Sequence, residues 1–83
     1  MNRETLAVSS ISDVDALNIA SDTERVIITV PVAYECDDPG IGYDFDTIAL
    51  SAAASDRMRR EGFTFQDAGS ESAGTEDWVF ARA

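Results

Sequence analysis

The chain has 83 residues, 16 Asp plus Glu against 6 Lys plus Arg, and no His, for a formal net charge of -10. A domain of this length buries only about 60–65% of its unfolded surface, so it builds one modest core and leaves little room for a deep catalytic cleft. With 45% apolar and 27% charged residues the composition is globular rather than disordered, and a single domain over residues 1–83 is expected.

The charge excludes whole classes of partner. All six cations are arginines, Arg3, Arg25, Arg57, Arg59, Arg60 and Arg82, and a body this acidic is repelled by nucleic acid and by anionic membrane surfaces. No run approaches the roughly 20 apolar residues that span a bilayer. The start, MNRETLAVSS, lacks the apolar segment of a signal peptide, and a lone Cys36 cannot form an internal disulfide. A reducing, cytoplasmic setting is expected. Cys36 lies in YECDD, where neighbouring carboxylates disfavour a thiolate nucleophile, and is read as a half-buried residue at a strand end.

In chain order, TLAV predicts a strand through Leu6 and Val8. Residues 12–22 have two open readings. Ser12, Asp13 and Asp15 suit a helix cap and first turn leading into Val14, Leu17 and Ile19; alternatively Leu17 and Ile19 form a strand turned by SDTE into the next. Residues 25–35, RVIITVPVAYE, alternate as a strand that is apolar on both faces, although Pro31 cannot donate to a ladder and demands an edge, a bulge or a wide pair. CDDPGIGYD, with Pro39, Gly40 and Gly42, is a loop.

A helix follows over residues 46–61, with Asp44 and Asp46 at its start, Arg57, Arg59 and Arg60 at its end, and Gly62 as its stop. Leu50, Ala54 and Met58 share a face with Thr47 and Ser51, Asp56 and Arg60 pair at i,i+4 on the opposite side, and the alanines at 52–54 permit close approach to a sheet. Two short strands close the chain, FTFQD (63–67) and DWVFARA (77–83). They are joined by AGSESAGTE, read as a mobile polar connection longer than a tight two-residue turn. The expected fold is α+β: an antiparallel sheet of three to four strands with one main α-helix packed on one face. Its core comprises Leu6, Val8, Val26, Ile28, Val30, Val32, Ile48, Leu50, Met58, Phe63, Phe65, Trp78 and Phe80. The other sheet face is then solvated or covered by a partner.

The chemistry of an active site is missing from the residue set. Without His, the commonest general base and metal ligand are absent. Gly40 and Gly42 make a GxG without a third glycine, beside Asp37, Asp38 and Asp44, which repel phosphate. The carboxylate pairs Asp13 with Asp15, Asp37 with Asp38, Asp44 with Asp46 and Glu76 with Asp77 match no calcium-loop order. No catalysis, cofactor or metal is expected.

The acidic segment carries more meaning as a surface. Glu35, Asp37, Asp38, Asp44 and Asp46, with Ile41 and Tyr43 as apolar anchors, form the candidate partner-binding surface. Carboxylates on a rigid scaffold approximate a row of phosphates and compete for a groove lined with Arg and Lys, and complementary potential speeds the encounter. Equally open are plain readings: the acid confers solubility, Ile41 and Tyr43 cover the helix start, and Arg57, Arg59 and Arg60 answer the helix dipole rather than forming a second contact.

In size, acidity and compact α+β pattern the whole chain resembles the small phage-encoded inhibitors of bacterial defence, above all the anti-CRISPR proteins; no motif is shared and no residue role is carried over. The resemblance implies a cytoplasmic, non-enzymatic protein. Such a protein binds a CRISPR effector complex at a basic nucleic-acid-binding or nuclease-recruiting surface and blocks it sterically. The alternatives are an antitoxin or regulatory partner of a basic toxin, and an acidic domain adapted to a halophilic cell.

Overall fold

The computed structural model of the chain describes residues 3–38, 40–72 and 74–82. Its elements are β1 (Arg3–Ala7), α1 (Ile11–Asp15), β2 (Arg25–Pro31), a 3-10 turn (Glu35–Asp37), α2 (Phe45–Arg60), β3 (Phe63–Ser72) and β4 (Thr75–Arg82). The strands form one sheet in the order β1-β2-β4-β3, with α2 as the one main helix, so the fold is α+β. Pro39, read as a breaker, and Ala73 and Ala83, placed in or beside the last two predicted strands, lie outside the described residues, as does the Glu71 side chain.

The sheet is mixed rather than antiparallel throughout. β1 runs parallel to β2, in register from Arg3↔Arg25 to Ala7↔Thr29, while β2–β4 and β3–β4 are antiparallel. Residues 8–24 are long enough to carry the chain back over the sheet, which a parallel pair requires. They do so through α1, whose N-cap is Ser10, not Ser12; the Ser10 hydroxyl accepts from the Asp13 backbone N–H. Residues 12–22 thus resolve as the rest of a five-residue helix followed by irregular chain, with Val14 and Thr23 fully buried and Leu17 and Ile19 packed on the core.

The tension at Pro31 disappears because β2 ends there. Val8 N–H donates to Thr29 O at 3.0 Å and Val32 N–H to Gly74 O at 2.9 Å, so alternation puts the nitrogen of Pro31 on the β1 side, past the last pair of that ladder. No strand bond is lost. The early stop also moves Cys36 out of any strand: it is exposed, in the 3-10 turn, at φ 55°.

α2 is set by its ends. The Asp44 carboxylate accepts from Thr47 N–H at 2.9 Å, Asp46 sits in the first turn and three arginines in the last, and Gly62 follows at φ +91°, a left-handed conformation a side chain resists. Thr47, Leu50, Ala54 and Met58 face the sheet and bury against Val26, Ile28, Val30, Phe63, Trp78 and Phe80. That phase leaves Ile48, expected in the core, 55% exposed, because residues two apart on a helix point some 200° from each other and Leu50 already faces inward. Phe65 is likewise 54% exposed: it shares a face with Phe63 and meets the Phe80 ring edge-on at 5.7 Å, but it stands on the edge strand. Leu6 and Val32 are partly buried at the core margin.

The polar connection between the last strands is itself strand. β3 and β4 pair from Phe63↔Arg82 to Ser72↔Thr75, with register shifts between Phe65 and Asp67 and between Gly69 and Ser72, and Gly74 takes φ +82° at the turn. Pairing with an apolar β4 overrides the low strand propensity of AGSES, and the shifts absorb its irregularity.

Two arginines tie the layers together. The Arg57 guanidinium donates to the carbonyls of Val14 (2.9 Å), Asp15 (3.3 Å) and Leu17 (2.8 Å), closing the C-terminal end of α1, and its Nε meets Glu61 at 3.1 Å. Arg82 donates to Thr23 O and Glu61 O and lies over the Phe63 ring at 4.3 Å. Arg60 pairs with Asp56 at 3.3 Å, as expected.

Candidate protein-binding surface

The acidic segment is a closed loop. Asp44 N–H donates to Ala33 O and Glu35 N–H to Gly42 O, both at 2.9 Å, so Tyr34 and Tyr43 face each other as an isolated antiparallel bridge. Their rings stack at 5.7 Å with an interplanar angle of 18°. Ala33 N–H donates in turn to the buried Thr47 hydroxyl, which fastens the loop base to α2.

Underneath lies Glu76 on β4, 9% exposed. Its Oε2 accepts from the Tyr34 hydroxyl at 3.1 Å; its Oε1 accepts from the Tyr43 hydroxyl and from Trp78 Nε1, the latter at 3.2 Å. Burial pushes the Glu76 carboxyl up, but the donors Tyr43, Trp78 and Tyr34 outweigh it and hold it below the usual carboxylate range. Tyr43 moves the opposite way, pushed up to about 12 by burial and by its bond to Glu76, and Tyr34 is raised chiefly by its own bond to Glu76. Both phenols therefore stay neutral donors to a charged acceptor, the stronger kind of hydrogen bond.

On this base the predicted residues take distinct places. Glu35, Asp37 and Asp38 are exposed on the 3-10 turn and just after it; Asp37 has φ 56°, and the Asp38 carboxylate accepts from Gly40 N–H at 2.9 Å, which fixes the turn. Asp46 is exposed, and Asp44, the α2 cap, is half-buried. Those two acids border a cavity of about 510 Å³ that Ile11, Val32, Ala33 and Leu50 also line, whereas Glu35, Asp37 and Asp38 are not among the residues lining it. Ile41 is 60% exposed and available as an anchor, whereas Tyr43 is half-buried and engaged with Tyr34 and Glu76. Among the described residues no arginine is paired with any of the five loop acids; the ion pairs lie at the far end of α2, Arg57–Glu61 and Arg60–Asp56.

Two residues of this region escaped the sequence reading. In the sequence Glu76 reads as one of a carboxylate pair with Asp77, yet it shares the helix-facing side of β4 with Trp78, and two nearby phenols and an indole N–H all need an acceptor there. Asp77 points the other way, accepting from the Thr29 hydroxyl at 2.7 Å across the β2–β4 pair. Phe45, 81% exposed at the head of α2, is the second.

Among the described residues no group of three or more His, Cys, Asp or Glu is arranged to hold a metal ion, and no helix is long and apolar enough to cross a membrane. Comparison of the chain with protein-family models, with curated proteins and with solved structures gives no match.

Proposed function

We propose that this protein is a non-enzymatic inhibitor that docks its acidic loop onto a basic protein surface, covering a site that would otherwise receive nucleic acid or recruit a nuclease. The observation that supports this reading most is the clamped loop: Glu35, Asp37, Asp38, Asp44 and Asp46 are carried on chain held by Tyr34, Tyr43, Thr47 and Glu76, and among the described residues no arginine is paired with them. Held carboxylates lose little conformational freedom on docking, and unneutralised ones attract a cationic groove. The nearest functional kind is the anti-CRISPR protein, with a CRISPR effector subunit or complex as the partner.

The test is expression in a bacterium whose CRISPR system targets a given phage: plaques return with the wild-type chain and fail with the double variant Asp37→Asn, Asp38→Asn. These asparagines suit the site, since Asn tolerates the left-handed backbone of residue 37 and keeps the Asp38 acceptor for Gly40 N–H. In purified mixtures the affinity of the wild-type chain should fall as salt rises, and that of the double variant should depend on salt less steeply. If the wild-type chain restores no plaques against any effector type but rescues growth from the product of a neighbouring gene, the target is a basic toxin instead.

A further inference from the structure

Ile48 and Phe65 are patterned for a core and yet are each more than half exposed. Beside Phe65 runs a groove of about 330 Å³. Ser51 and Ser55 of α2 form one wall, continued by Ile48 at three and seven residues' spacing; Phe65 and Ala68 of β3 form the other, and Trp78 and Phe80 make the floor. Tyr43 closes one end, bonded to the base of the acidic loop, and beyond Ser55 and Phe65 the far end reaches Arg59. Among the described residues no charged side chain lines the apolar stretch; Arg59 stands at the far end, and at the other Tyr43 stacks on Tyr34, from which the turn bearing Glu35, Asp37 and Asp38 continues.

A second copy of this chain is a poor occupant. Ile48, Phe65 and Phe45 together offer on the order of 300 Å², against about 800 Å² per partner in a stable interface, and a copy brings a further net charge of -10 to the same acidic end. A basic segment gains from both features at once. Resting on the function proposed above, we infer that this groove receives an amphipathic helix of the basic partner, antiparallel to α2. Its apolar side chains fit between Ile48 and Phe65, and its cations gather at the C-terminal end beside Glu35, Asp37 and Asp38. The antiparallel sense follows from side-chain charge: cations favour the C-terminal turn of a helix, which then meets the acidic loop, and acids favour its N-terminal turn, which then meets Arg59.

Trp78, the chain's one tryptophan, lies in the groove floor and reports its occupancy by fluorescence. The probes are a synthetic amphipathic helix of leucine, alanine and arginine with its arginines in the C-terminal half, and a scrambled peptide of the same composition. The amphipathic peptide should bind roughly tenfold tighter than the scrambled one and shift Trp78 emission, since the scrambled form cannot bury its leucines against the two lips. The variant Ile48→Ser, Phe65→Ser changes exposed residues and should erase that difference, while Asp37→Asn, Asp38→Asn should weaken both peptides alike. Equal binding of the two peptides without a Trp78 response overturns the groove and leaves acidic docking standing. Binding of neither overturns both. Sedimentation at a dimer mass that Ile48→Ser, Phe65→Ser reduces to monomer also overturns the proposal, in favour of a self-covered face.

Discussion

The Tyr34 hydroxyl and the Glu76 carboxylate stand 42 residues apart in the chain and 3.1 Å apart in the fold. Through that bond, and the one Tyr43 makes to the same carboxylate, the acidic loop is referenced to the strand beneath it rather than left to solvent. Removing Glu76 leaves two phenols and an indole N–H without their acceptor. Glu76→Ala should therefore cost about 2–4 kcal/mol, more than Tyr43→Phe at about 1.5–3 kcal/mol, which deletes one charge-assisted bond. Tyr34→Phe should cost less than either, because Tyr34 is less deeply buried than Tyr43. Urea unfolding of the three variants checks the order.

How much of this was legible beforehand differs by element. α2 could be read to within one residue at each end because its signals are local: a capping acid at Asp44, arginines in the last turn, Gly62 beyond. The parallel pairing of β1 with β2 could not, since it depends on α1 docking over the sheet, and α1 is completed by Arg57 from more than 40 residues away. The strand through AGSES was hidden for a related reason: its own residues disfavour a strand, and the apolar partner that enforces one lies in β4. In the candidate surface the positions of the acids were visible in the sequence, but the fixing of the loop was not, because its anchor reads locally as one more surface carboxylate.

The clamp also fixes the pH response, in two windows. The folded pKa of Glu76 lies below its ordinary value near 4.5, so its contribution is fully present above about that pH and is lost as pH falls through the folded value. The folded pKa of Tyr43 is raised from 10 to about 12, so its contribution is fully present below pH 10 and drains away between 10 and about 12. Unfolding free energies measured across pH should fall in both windows. Glu76→Gln should flatten the acid limb and Tyr43→Phe the alkaline one; an unchanged acid limb in Glu76→Gln would assign acid sensitivity to other carboxylates.

Arg57 offers a test of the helix-to-helix tie. Its guanidinium serves three carbonyls and Glu61 at once, a fan that an ammonium cannot reproduce. Arg57→Lys keeps the charge near the end of α2, yet it should lose about 1–2 kcal/mol, and Arg57→Ala more. Hydrogen exchange gives the sharper readout: protection should drop at Ala16 and Leu17, whose amides bond back into α1, while the amides of β2 and β4 keep theirs.

Glu35, Asp37 and Asp38 repel one another on a fixed turn, and among the described residues no arginine is paired with them. At low ionic strength Asp37→Asn, Asp38→Asn should therefore stabilise the fold by a few tenths of a kcal/mol, and the gain should shrink as salt rises toward 1 M, where the screening length falls to about 3 Å. A chain adapted to a halophilic cell would behave differently, losing its helix signal in dilute buffer. On the docking reading the core of Val26, Ile28, Ala54 and Met58 stays buried at low salt, and circular dichroism in dilute buffer should show the folded state. If the same double substitution stabilises the protein and abolishes partner binding, the acids are kept for what they bind and at the expense of stability. If it stabilises the protein and leaves binding intact, the acidic loop is surface solubility and the docking reading falls.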